Sequence, residues 1–206
     1  MKRLLAMLSV VCVCFISVSS ASALAFERYV AGVHYKIVAP APSKTATPHV
    51  AGFFSYACPH CDHLEPELEK WRQGLPPGVQ FQRVPALWNP TFKAMAKLYY
   101  ALESMQLAEK HGQAIFEVIH RKKRSLLGDE QSALFLQSLG VDKEKLLQAL
   151  NSDVVKVKMR EAKGLLAKYR IAGVPGFVVN GRYFIDNRLA GSTEALFEII
   201  NFLLKK

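Results

Sequence analysis

"SYACPHCDHLEP", residues 55–66, sets Cys58 and Cys61 two residues apart with Pro59 and His60 between them. Four chemistries use a bare C-x-x-C: a metal clamp, a haem attachment, a structural staple and a redox catalyst. Covalent haem requires a histidine directly after the second cysteine, and Asp62 stands there. Structural zinc takes about four ligands, usually as two paired sets. Here His60 and His63 crowd the further donors into one helical turn, no second cysteine pair follows, and no metal is expected. A Cys58–Cys61 bridge closes a tiny loop and adds little stability through chain entropy. The redox reading fits best.

The flanks support it. "HVAGFFSYA" (49–57) is short, apolar and aromatic and reads as a strand. "DHLEPELEKWRQGL" (62–75) reads as a helix ending around Gly74, with Pro76 and Pro77 beyond. Cys58 therefore falls at a helix N-terminus, where unpaired N–H groups and the helix dipole stabilise a thiolate. His60 adds a donor or a positive charge. A stabilised thiolate favours the dithiol, so the disulfide becomes a good oxidant of other proteins. Cys58 is expected to be the exposed nucleophile and Cys61, a turn further in, the buried resolving partner.

The chain has 206 residues, half of them hydrophobic and 21% charged, which suits a globular protein with a core. Residues 1–25 read as a secretory signal peptide: Lys2 and Arg3, the apolar run "LLAMLSVVCVCFISVSS", then small residues that permit cleavage after Ala25 or Ala23. Cys12 and Cys14 leave with it, so the mature chain keeps only Cys58 and Cys61. Losing Lys2 and Arg3 lowers the formal charge from +10 to +8. That balance favours acidic surfaces, but export argues against nucleic acid as a partner. "RKKR" (121–124) is read as a solvated helix end.

"HYKIV" (34–38) and "GVQFQRVPAL" (78–87) read as further strands, the first set off by the loop "APAPSKTATP" (39–48). Met95, Leu98, Leu102 and Met105 then step by three and four, a helical stripe. More helices are predicted over 109–123, 129–139 and 142–150, and a longer one carries Val155, Met159, Ala162, Leu166 and Tyr169. "GFVVN" and "YFID" form a hairpin around Asn180-Gly181, and a last helix starts at Ser192, a good N-cap. The order implies an α/β fold: one sheet whose two halves flank an all-helical insertion. Pro175 in "GVPG" (173–176) enters a strand where a cis bond is allowed.

"FFSYACPHC" (53–61), "YRIAGVPGFVVNGRY" (169–183) and the helical block between them resemble the DsbA family of periplasmic thiol-disulfide oxidoreductases, which have a thioredoxin fold. The resemblance covers roughly residues 50–205. It implies a thioredoxin-like domain from 26–88 and 155–206, with 89–154 as the helical insertion. Cys58 would form the mixed disulfide and Cys61 resolve it, with Pro59 and His60 tuning the potential. Pro175 would be a cis-proline beside the sulfurs, and the Val174 backbone would pair with an extended substrate strand. Valine before that proline resembles the oxidases, whereas isomerases tend to carry threonine.

The function so implied is an exported oxidase that donates the Cys58–Cys61 disulfide to reduced, newly exported proteins in the periplasm. It needs no cofactor beyond that disulfide. A DsbB-like membrane quinone reductase re-oxidises it and provides its only contact with the membrane. Two alternatives remain: an isomerase or reductase of the same fold, and a non-catalytic peptide- or metal-binding module. One departure stands out. Relatives often have a buried acidic residue just before "FFS" as a proton relay, and Gly52 occupies that place. His34, His49, His111 and His120 are expected on the surface, His63 exposed on the first helix, and Trp71 and Trp88 in packing roles, Trp88 near the active-site end.

Overall fold

The computed structural model describes residues 27–40 and 47–206. The predicted signal peptide lies outside the described residues. Among the described residues, five strands form one sheet in the order β1-β5-β4-β2-β3. These are β1 (Lys36–Ile37), β2 (His49–Phe54), β3 (Gln80–Pro85), β4 (Gly176–Val179) and β5 (Tyr183–Ile185). Only β2 and β3 run parallel, with Gly52 opposite Arg83; the remaining pairs are antiparallel. The parallel pair needs a crossover, and α1 (Pro59–Gln73) supplies it, stopping at Gly74 as predicted.

Between β3 and β4 run α2 (Pro90–Ser104), α3 (Ala108–His120), α4 (Asp129–Gln137), α5 (Lys143–Leu150) and α6 (Asp153–Lys168). Asn89, Asp142 and Ser152 cap α2, α5 and α6 by accepting backbone N–H bonds. The β4–β5 turn holds Asn180 and Gly181 at positive φ, 50° and 62°, the conformation that pair favours. A one-turn helix, α7 (Asn187–Ala190), follows β5 and was not expected; Asp186 caps it through the Leu189 N–H. Ser192 then caps α8 (Thr193–Leu204).

Strand alternation divides the core. Val50, Phe177 and Val179 face Leu64 and Leu68 of α1 and the apolar side of α8. Ala51, Phe53 and Val178 face the helical block, including Met95 and Leu98 of α2. Trp71 takes its expected packing role: it stacks on Phe197 at 5.2 Å and donates to Asn201 Oδ1 at 2.9 Å. The C-terminal end of β2 and the N-terminus of α1 thus sit where both halves of the core meet.

Candidate active site

β2 ends at Phe54, and Ser55 turns the chain: the Cys58 N–H donates to the Ser55 carbonyl at 3.0 Å, the Ala57 N–H to Ser55 Oγ at 3.2 Å. Cys58 is the N-cap of α1, with extended backbone and Pro59 just inside the helix. Its sulfur accepts the Cys61 backbone N–H at 3.3 Å, as an N-cap oxygen would. On its far side the Cys58 thiol faces the Val174 carbonyl at 3.5 Å. The Val174–Pro175 bond is cis. Two segments 116 residues apart therefore meet at one sulfur.

Both cysteines are free thiols and both are buried. The expectation that Cys58 is exposed needs correction: it is 5% accessible against 3% for Cys61. The Gly173–Pro175 loop covers it, a contact no local pattern around Cys58 encodes. The asymmetry of the pair is electrostatic instead. The Cys61 thiol hydrogen bond, then the N–H groups of Cys61 and His60, draw the Cys58 thiol down to about 7 against the opposing effect of burial. Burial pushes Cys61 strongly up, and its hydrogen bond to Cys58, the Cys58 charge and Glu65 add to that.

His60 acts on Cys58 through its backbone, while its side chain is exposed. It lines a groove of about 390 Å³ with His63, Val174, Pro175 and Arg188. His63 is exposed, as expected. Trp88 departs from the packing role: it is 45% exposed, tilts against Phe92 at 5.8 Å and does not line this groove. The four scattered histidines are also corrected. His111 is buried among the residues of α3, and His34, His49 and His120 are half-buried. His120 Nε2 lies 2.8 Å from the Tyr56 carbonyl. In "RKKR" the first residue is engaged: Arg121 pairs with Asp62 at 3.2 Å.

The departure at Gly52 has a packing cause. A Cβ there would meet the Phe81 ring at 3.0 Å and Phe177 at 3.3 Å, so aromatic rings fill the place. A charged pair that the sequence reading missed stands nearby. Arg83 donates to both Glu65 carboxylate oxygens and, at 2.7 Å, to Glu69. Glu65 and Arg83 are 14% and 12% accessible. Glu65, Cys61 and Gly52 border one small cavity. The pair left one faint signal, a polar residue in strand alternation opposite a helix with glutamates at 65 and 69.

A family model described as a DSBA-like thioredoxin domain matches residues 77–196. Thiol:disulfide interchange protein DsbA of Pseudomonas aeruginosa is 37% identical over 182 residues, covering 87% of this chain and 86% of that protein. The protein of the same name from Azotobacter vinelandii is 39% identical over 157 residues, covering 76% and 73%. The crystal structure of Pseudomonas aeruginosa DsbA superposes with a TM-score of 0.81 at 36% identity, covering 86% of this chain and 93% of that one.

Proposed function

Because the chain belongs to the DsbA family, we propose that it is an exported dithiol oxidase working in the periplasm, with residues 1–25 as its removable leader. The thioredoxin-like part is 26–88 with 155–206, and 89–154 is the helical insertion. A substrate thiolate attacks Cys58 Sγ of the Cys58–Cys61 disulfide, the S–S bond breaks, and Cys61 leaves and takes up a proton. A second substrate thiolate then attacks the substrate sulfur of the mixed disulfide. A substrate disulfide forms and Cys58 departs as a thiolate. Two electrons pass from substrate to protein, and no cofactor beyond the two sulfurs takes part.

One observation carries this reading: Cys58 Sγ caps α1 and accepts the Cys61 N–H at 3.3 Å. That geometry makes Cys58 the better leaving group and favours the dithiol product. Pro59 opens the helix that supplies these donors, and His60 contributes its N–H. The Val174 N–H makes no hydrogen bond among the described residues, which leaves it free for an extended substrate segment beside Pro175. A DsbB-like membrane quinone reductase restores the disulfide by taking the two electrons onward, the protein's only link to the membrane.

Equilibration with glutathione tests the direction. A reduction potential more oxidising than about −180 mV is expected, together with rapid oxidation of reduced ribonuclease and poor rescue of scrambled ribonuclease. Efficient rescue with a lower potential points instead to an isomerase. Unchanged activity after Cys58→Ser overturns the catalytic reading altogether.

A further inference from the structure

Where α3 ends, two consecutive side chains reach across to the redox segment. His120 Nε2 lies 2.8 Å from the Tyr56 carbonyl, and Arg121 Nη1 lies 3.2 Å from Asp62 Oδ1. Tyr56 stands two residues before Cys58, and Asp62 directly follows Cys61. The two contacts therefore bracket C-P-H-C, and each spans about sixty residues of chain, 64 and 59.

The Tyr56–Ala57 peptide unit decides how Cys58 enters α1. Its N–H side is held by Ser55 Oγ. Its carbonyl side has His120 as its one partner among the described residues. The imidazole is itself fixed, because it stacks on Phe116 at 6.0 Å, and Phe116 packs edge-on against the Tyr56 ring at 5.1 Å. On the other side, the Asp62 side chain is 6% accessible and its N–H donates to the Cys58 carbonyl. A carboxylate one residue past Cys61 opposes a thiolate at Cys58, and Arg121 places a positive charge against it.

We propose that the C-terminal end of α3 is a clamp on the redox centre, in which His120 orients the Tyr56–Ala57 peptide that aims Cys58 and Arg121 offsets the Asp62 charge beside Cys61. Both are positioning residues that act through Tyr56 and Asp62. The clamp couples the helical block to the reactivity of the dithiol, and it gives the first residue of "RKKR" a role beyond solvation. It rests on the dithiol reading above.

The test uses the mature chain with His120→Leu, His120→Gln, Arg121→Ala and Arg121→Lys, each checked for native circular dichroism. Thiolate absorbance against pH reads Cys58, and glutathione equilibration reads the redox constant. Arg121→Ala is expected to raise the Cys58 midpoint and shift the glutathione constant about three- to tenfold toward the disulfide, with Arg121→Lys near wild type. His120→Leu is expected to slow substrate oxidation about fivefold or more, and His120→Gln, which keeps an N–H donor, to recover most of it. Wild-type midpoint, constant and rate in both Arg121→Ala and His120→Leu overturn the clamp, as does failure of the conservative variants to rescue. If His120→Leu does not fold, Arg121→Ala decides, since that side chain is 56% accessible and its loss leaves no buried hole. An ordinary Cys58 midpoint in the wild type overturns the dithiol reading itself, whatever the variants do.

Discussion

Replacing Cys58 by serine in the reduced protein removes one thiol that ionises more easily folded than unfolded. The folded value is about 7 against an ordinary 9.0. The sign follows from the depressed value. Unfolded and folded chains both hold the proton below about pH 7, so Cys58 adds no ionisation-linked stability there. Between about pH 7 and pH 9 the folded form has released it and the unfolded form has not, so stability rises with pH. The full shift corresponds to about 2.7 kcal/mol, of which about 1.8 develops between pH 6 and pH 8.5. Pro59 and His60 beside it are exposed, and screening by solvent at this helix start trims the expected gain to about 1 kcal/mol. Urea unfolding under a reductant checks it: reduced wild type minus Cys58→Ser should grow by about 1 kcal/mol across that window at constant m. In melting temperature this is about 2–4 °C. Above about pH 9 the difference levels off, because both states have then released the Cys58 proton, while Cys61, held protonated by burial, lowers the stability of both proteins alike. A difference that is flat, or that shrinks between pH 6 and pH 8.5, would refute the reasoning.

Cys61→Ala deletes the largest influence on Cys58, and the pH midpoint for Cys58 alkylation should rise by about one unit; an unchanged midpoint counts against the sulfur–sulfur hydrogen bond. Arg83→Ala strands the Glu65 carboxylate in a nearly closed site and should cost about 3 kcal/mol in chemical denaturation, whereas a merely superficial pair would lose under 1. Gly52→Leu forces a side chain against Phe81 and Phe177 and should cost about 2 kcal/mol. Gly164→Ala, inside α6 with open space around its Cβ, should instead gain about 0.5–1 kcal/mol.

The parts of the site visible in sequence are those written locally. A strand, a C-x-x-C and a helix start lie within about twenty consecutive residues, and Asn180-Gly181 names its own turn. What escaped is written across the chain. Cys58 is covered by a loop 116 residues later, and no pattern at residue 58 signals its arrival. His120 and Arg121 find partners across about sixty residues. His111 is different, because a signal was present: it shares the 111, 115, 118 stripe with Ile115 and Val118, the buried face of α3. Helical period, more than the polarity of the single side chain, sets its burial. The four-residue α7 falls below the length at which periodicity means anything.

Gly52 raised the question of how Cys61 handles its proton, and the fold answers with a different element. An acid at position 52 would have to displace the rings of Phe81 and Phe177. The carboxylate bordering the same small cavity comes from α1 one turn past Cys61, as Glu65, and Arg83 holds it from the β3 residue directly opposite Gly52. The carboxylate stands on the helix and not on the strand, and its effect on Cys61 has a definite sign: the Glu65 negative charge opposes ionisation of that thiol. Glu65→Gln in a Cys58→Ser background isolates the influence of that charge. Cys61 should then ionise more readily, its alkylation midpoint falling by about half a unit, roughly a threefold rise in thiolate at fixed pH. An unchanged or higher midpoint would mean that Arg83 neutralises Glu65 completely at the sulfur, and that the carboxylate serves packing alone.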